Sequence, residues 1–89
     1  MLFTGSTALI HASIKGRLLV AKHLIEHKAN IEAMNNKHNF IMAGWTPLIY
    51  ASYHGHLPVV KLLLQHNANI EARNNNGMFL NLLPHFHSL

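Results

Sequence analysis

The sequence predicts an all-α fold, in which two helix-turn-helix units stack side by side as a short solenoid. Three observations lead to this prediction. The chain matches itself at an offset of 39 residues, and 19 of the 32 positions in 5–36 are identical in 44–75. Apolar residues recur at helical spacing within each unit, and residues typical of turns stand where the predicted helices end. A duplication of this length predicts that each copy is one structural repeat.

The first helix of each unit is predicted to begin at a threonine. In the second unit Thr46 can cap the helix, and Pro47 takes the first helical position, where its missing N–H costs nothing. Thr7 is expected to play the same part in the first unit. Gly16 and Gly55 are predicted to end these helices, because glycine adopts the left-handed conformation at little cost.

The second helix of each unit is predicted to present one apolar face at i, i+3, i+4 spacing. The face residues are Leu18, Ala21, Leu24 and Ile25 in the first unit and Leu57, Val60, Leu63 and Leu64 in the second. Asn67 is expected to end the second copy of this helix, since asparagine tolerates left-handed geometry. Lys28 stands at the matching position of the first unit, where we expect it to cost some stability.

The duplication also predicts the domain organisation. One module is expected over 1–77, with repeat one at about 4–36, an inserted turn at 37–43 and repeat two at about 44–76. The segment 78–89 is expected to be a degenerate or truncated third unit. Pro84 falls within its matching helix, where proline costs about 3 kcal/mol. About three repeats make a stable stack, so we expect marginal stability or self-association.

Composition and charge exclude several classes of partner. The net charge is +4, but the seven basic residues are scattered singly, which argues against nucleic acid as a partner. No apolar run approaches the roughly 20 residues of a membrane helix, and the first residues do not resemble a secretory signal. The chain has no cysteine, which suits a reducing compartment. We therefore expect an intracellular, cytoplasmic protein without a membrane partner.

The nine histidines raise the possibility of a metal site. His23 and His27 are spaced by four residues on one predicted helix, yet zinc usually needs three or four convergent ligands with supporting contacts. His27 and His66 are matching positions of the two copies, which explains them as surface residues near a helix end. The sequence therefore predicts neither a metal site nor a cofactor.

Catalytic chemistry finds no support either. Acid–base catalysis by paired carboxylates would need them from Glu26, Glu32 and Glu71, and the last two are matching positions of the copies. Ser13 and Ser52 also match each other on a predicted packed helix, which indicates small packing residues and not nucleophiles. We expect no catalytic residues and no enzymatic activity.

The residues around the second copy resemble a known family. Its pattern is Gly44-Trp45-Thr46-Pro47-Leu48, then Ala51, then the run 55–64, then Ala68-Asn69-Ile70, and this resembles an ankyrin repeat. The first copy resembles it too, although Ala8 stands where the family has proline. The family period is about 33 residues, so the longer offset here indicates the insertion at 37–43.

The resemblance implies a module that binds another protein through the concave face of the stack. The matching positions are Ser6, Ile14, Lys15, Met34, Lys37, Trp45, Tyr53, His54 and Arg73. Trp45, Tyr53 and Arg73 belong to the residue types that dominate protein interfaces. Trp45 is expected to face the partner; the alternative is that its indole packs on Tyr53 or on the inserted loop.

Two other functions remain open at this point. The chain could be a structural fragment or cap that stacks onto further repeats and has no partner of its own. It could also be a histidine-dependent sensor of pH or metal. The number of repeats in the parent protein bears on the first alternative, and zinc titration against helicity bears on the second.

Overall fold

A computed structural model describes residues 5–34 and 44–71 of the chain. These two ranges, called unit one and unit two below, each contain a pair of α-helices and no strand. Unit one consists of α1 (Gly5–Lys15) and α2 (Leu18–Glu26), and unit two of α3 (Pro47–Tyr53) and α4 (Leu57–Gln65). The all-α helix-turn-helix prediction is therefore confirmed.

The helix starts differ between the two units. Thr46 is the N-cap of α3, and its hydroxyl oxygen accepts a hydrogen bond from the Ile49 backbone N–H at 3.3 Å, with Pro47 in the first turn. In unit one the helix begins at Gly5, so Thr7 lies inside it and the expectation of a threonine cap there is wrong. Ala8 takes the place of Pro47, and because alanine has a backbone N–H it imposes no helix start at that point.

All four helices end in left-handed geometry, as the turn residues predicted. Gly16 and Gly55 follow α1 and α3 with φ of 71° and 73°, and Lys28 and Asn67 follow α2 and α4 with φ of 71° and 67°. After α2 the Lys28 N–H bonds to the Ile25 carbonyl and the Ala29 N–H to the Leu24 carbonyl. This is the Schellman arrangement, which satisfies carbonyls that the helix leaves open.

The hydrophobic core lies between the two helices of each pair and also between the two pairs. α1 packs on α2 and α3, and α4 packs on α3 and α2. Of the predicted apolar faces, Ala21, Ile25, Val60 and Leu63 are buried and Leu24, Leu57 and Leu64 are partly buried, but Leu18 was placed wrongly, because its side chain is exposed. It stands at the first position of α2, so no preceding turn of the same helix covers it. The helix residues of the hydrophobic core are Leu9, Ile10, Ala12, Ala21, Ile25, Leu48, Ile49, Tyr50, Ala51, Val59, Val60, Leu62 and Leu63.

Polar contacts also join the two units. His56 Nε2 donates to the Ile14 carbonyl oxygen at 2.9 Å. The Asn69 backbone N–H donates to Glu32 Oε2 at 2.8 Å. Both contacts run from one unit to the other, so they fix the register of the stack as well as adding to its stability.

Several sequence predictions lie outside the described residues. These are the inserted turn at 37–43, the degenerate third unit at 78–89 and the candidate binding residues Lys37 and Arg73. In the two ranges that are described, no helix is long and apolar enough to cross a lipid bilayer.

Candidate functional site

Four of the predicted binding residues come together at the ends of α1 and α3. Ile14 and Lys15 are the last two residues of α1, and Tyr53 and His54 hold the matching positions in unit two, where Tyr53 ends α3 and His54 is its C-cap. Lys15 and His54 are exposed, whereas Ile14 and Tyr53 are partly buried against the core. Because α1 packs on α3, these four residues form one surface, which we call the recognition face.

Aromatic rings extend from the core to the recognition face. The Trp45 and Tyr53 ring centroids are 5.1 Å apart in an edge-on arrangement, and Tyr53 meets His54 edge-on at 5.2 Å. His54 in turn stacks on His56 with 6.0 Å between ring centroids. Edge-to-face contacts of this kind add to the energy of buried area. The ring of Tyr53 is therefore held in one orientation by a neighbour on either side.

Trp45 does not lie on the surface as expected. Its side chain is 4% exposed, and its ring also contacts that of Tyr50 at 5.2 Å between centroids. Tyr50 and Tyr53 are three residues apart on α3, so both rings project from one side of the helix and the large apolar indole packs against them. The expected exposure of Trp45 is wrong, and the alternative of packing on Tyr53 is correct. Within the described part of the chain its indole N–H has no hydrogen-bond partner.

The other predicted binding residues are placed only in part. Met34 follows α2 and is half exposed. Ser6 lies in the first turn of α1, at the opposite end of that helix from Ile14 and Lys15. Since the recognition face occupies the far ends of α1 and α3, the described residues do not bring Ser6 into it.

His56 is a contributor that the sequence analysis missed. Besides its bond to Ile14, its ring covers Gly16 so closely that a Cβ added there would lie 2.5 Å from His56 Nδ1. Arg17 holds the matching position in unit one. The difference between these two matching residues was the available signal, but a contact across 42 positions of sequence cannot be inferred from one residue alone.

Several of the residues considered for metal binding and catalysis make contacts within the described part of the fold. His23 and His27 are in ring contact at 4.3 Å between centroids, and His27 Nδ1 bonds to the His23 carbonyl. Across residues 5–34 and 44–71 no three histidine or carboxylate side chains come close enough to hold a metal ion. Ser13 donates its hydroxyl proton to the Leu9 carbonyl oxygen at 2.8 Å inside the core, which suits a packing residue.

Comparison with known proteins agrees with this arrangement. A family model described as ankyrin repeats (3 copies) matches residues 2–74, which is most of the chain. The described ranges within that match contain two helix pairs. No curated protein gives a significant sequence match.

Proposed function

Because the chain belongs to the ankyrin-repeat family, whose members are generally non-enzymatic protein–protein interaction modules, we propose that it binds another protein through the recognition face. The residues in contact are Ile14, Lys15, Tyr53 and His54, and Trp45 supports them from below. We include Ser6, Met34, Lys37 and Arg73 among the further residues proposed to contact the partner. We expect neither a nucleic acid nor a membrane as partner.

One observation supports this face above others. Four positions of α1 and α3 are identical in both units and all are buried: Leu9 with Leu48, Ile10 with Ile49, Ala12 with Ala51 and Ser13 with Ser52. The two positions before Gly16 and Gly55, which belong to the recognition face, hold different residue types in the two units. Yet Gly16 and Gly55 follow the two helices with nearly the same φ. The backbone is thus repeated while the side chains that it presents are not, as expected of a scaffold that carries a specific surface.

The chemistry of the recognition face suits an anchor for a protein partner. Tyr53 offers a ring that its neighbours already orient, so binding loses little side-chain entropy. Aromatic residues of this type dominate interface energies. Lys15 adds a positive charge, and none of the four residues is acidic. We therefore expect a partner that presents an acidic or carbonyl-rich edge around an apolar side chain.

Placing a negative charge at the two exposed positions tests the proposal without disturbing the core. The full chain carrying Lys15→Glu and His54→Glu is immobilised beside the parent chain, and proteins retained from cell extract are quantified by mass spectrometry. We expect specific partners to be retained at least about tenfold less, which corresponds to 1.4 kcal/mol.

The matched control is the pair Lys22→Glu and Gln65→Glu. Both residues are exposed, on α2 and α4, and the change in formal charge is the same with neutral histidine. We expect this variant to retain the same proteins as the parent. Circular dichroism of all three chains excludes unfolding as the cause, and equal losses in both variants would remove the recognition face as the binding surface.

A further inference from the structure

His23 and His27, called the histidine pair below, lie at the end of α2 with both side chains exposed. A separation of four residues places two side chains on the same side of a helix, one turn apart. Their ring centroids are 4.3 Å apart. Helical zinc sites use two histidines at this spacing, and zinc binds imidazole nitrogens at about 2.0–2.1 Å. One metal ion can therefore bind both rings after small side-chain rotations.

The hydrogen bond of His27 determines which of its ring nitrogens is able to bind a metal. His27 Nδ1 lies 2.9 Å from the His23 carbonyl oxygen. Because a carbonyl oxygen only accepts hydrogen bonds, Nδ1 carries the proton and Nε2 of the neutral ring keeps its lone pair. Zinc-binding histidines almost always donate their other ring N–H to a carbonyl or carboxylate group. His27 is thus already held in the tautomer that binds zinc through Nε2.

Unit two has no equivalent of the histidine pair. Leu62 and His66 stand at the matching positions of α4, and the Leu62 side chain is buried in the core. His66 is exposed, as His27 is, but no histidine precedes it by one turn. The chain therefore contains a matched control residue for His27.

One chain supplies too few ligands for a complete zinc site at the histidine pair. Within 5–34 and 44–71 no three histidine or carboxylate side chains converge, so Glu26, although it precedes His27, does not complete the set. Structural zinc is almost always bound by four ligands, and the chain has no cysteine. A zinc ion bound by both histidines therefore needs two more ligands from outside the described part of the chain.

A second copy of the chain supplies the missing ligands most simply. When two copies are related by a twofold axis through the ion, both contribute the histidine pair, which gives four imidazole nitrogens. The surface beside the pair suits such a contact, because a groove of about 380 Å³ there is lined by Leu19, Val20, His23 and Leu24. Leu19 and Val20 are 77% and 48% exposed, so covering them adds hydrophobic free energy.

We infer that the histidine pair is half of a zinc site, and that Zn²⁺ joins two copies of this chain through α2. Imidazole nitrogens and tetrahedral geometry suit zinc, whereas magnesium and calcium prefer oxygen ligands. The proposal departs from the expectation of no metal site because it draws ligands from two chains. The zinc site shares no residue with the recognition face, so failure of either proposal leaves the other standing.

Titration of the full chain with zinc sulfate tests the inference. Sedimentation velocity measures the fraction of dimer, and mass spectrometry of the dialysed protein measures the bound zinc. We expect the dissociation constant of the dimer to fall at least about tenfold, which corresponds to 1.4 kcal/mol. Dimer formation should be complete at one zinc ion for every two chains, and EDTA should reverse it. Magnesium sulfate at the same concentration should leave the fraction of dimer unchanged.

Substitutions by glutamine locate the ligands. His23→Gln and His27→Gln each remove one imidazole per copy, and we expect both to abolish the effect of zinc on dimerisation. His66→Gln is the matched control at the position of unit two that corresponds to His27, and it should respond to zinc as the parent chain does. All three positions are exposed, and circular dichroism checks that each variant keeps its helices.

Cobalt(II) in place of zinc reports the geometry, because tetrahedral cobalt(II) absorbs visible light far more strongly than octahedral cobalt(II). We expect this absorption in the parent chain and in His66→Gln, and its loss in His23→Gln and His27→Gln. Zinc that binds without dimerisation, or a zinc-dependent dimer that persists in both His23→Gln and His27→Gln, would overturn the inference. An equal loss of the zinc response in His66→Gln would overturn it as well.

Discussion

Ser13 and Ser52 occupy matching positions in α1 and α3, and both side chains are buried. The Ser13 hydroxyl bonds to the Leu9 carbonyl, whereas the Ser52 hydroxyl has no partner within the described part of the chain. A buried polar group without a hydrogen bond destabilises the folded state. The two serines therefore differ in energy although they match in sequence.

Substitution by alanine measures this difference. Ser52→Ala should raise the free energy of unfolding by about 1 kcal/mol, because it removes a desolvated hydroxyl. Ser13→Ala gains the same helix propensity but loses a hydrogen bond. The free energy of unfolding of Ser13→Ala should therefore be about 1 kcal/mol lower than that of Ser52→Ala. Urea denaturation of both variants gives the comparison, and equal effects would show that Ser52 is satisfied.

Lys28 and Asn67 both hold left-handed geometry at the ends of α2 and α4. Lysine adopts this conformation at higher cost than asparagine. Lys28→Asn should raise the free energy of unfolding by about 0.5 kcal/mol, and the reciprocal Asn67→Lys should lower it by a similar amount. Thermal denaturation of the two single variants checks the pair; a shift of the same sign in both would contradict the explanation.

At the scale of elements, the turns between helices carry the contact between units. Gly16 follows α1 in left-handed geometry, and the His56 ring packs over it while bonding to Ile14. A methyl group at Gly16 would meet this ring, in addition to the strain of an alanine at positive φ. The glycine at the end of α1 therefore leaves the space that the His56 ring of unit two occupies.

A double-mutant cycle isolates this contact. Gly16→Ala should cost more than the roughly 1 kcal/mol expected for positive φ alone, because it also displaces His56 from the Ile14 carbonyl. In a chain that already carries His56→Ala, Gly16→Ala should lower the free energy of unfolding only by the cost of positive φ. Additive effects of the two substitutions in urea denaturation would show that the ring and the glycine are not coupled.

The elements also show what a sequence can predict and where it fails. The duplication and the turn residues gave the helix pairs and their left-handed ends, because these depend on local conformation. The burial of Trp45 was not predicted, because it depends on the rings of Tyr50 and Tyr53 on the helix that follows. The bond from His56 to Ile14 depends likewise on how the two units stack.

At the scale of the whole molecule, charge dominates the expected response to acid. The nine histidines add nine charges to the net charge of +4 when all are protonated, giving +13. Histidine ordinarily titrates near pH 6.5. That much like charge repels itself in the compact state and destabilises it.

Unfolding relieves this repulsion, so the unfolded chain binds more protons and the free energy of unfolding falls as pH falls. We expect clear destabilisation between pH 7.5 and 5 at low ionic strength, and a weaker effect in added salt. Thermal denaturation across this range measures it. A stability that is constant with pH would contradict the expected role of charge repulsion.

Binding through the ends of α1 and α3 is tested most directly by site-specific photo-cross-linking. His54 and His66 are both exposed histidines at helix C-caps, of α3 and α4 respectively, but only His54 belongs to the recognition face. Each is replaced in the full chain by the photoreactive residue p-benzoylphenylalanine, and the proteins retained by the parent chain are irradiated with each variant. We expect cross-links from position 54 and none above background from position 66. Cross-links from position 66 alone, or equally from both, would contradict binding through the recognition face.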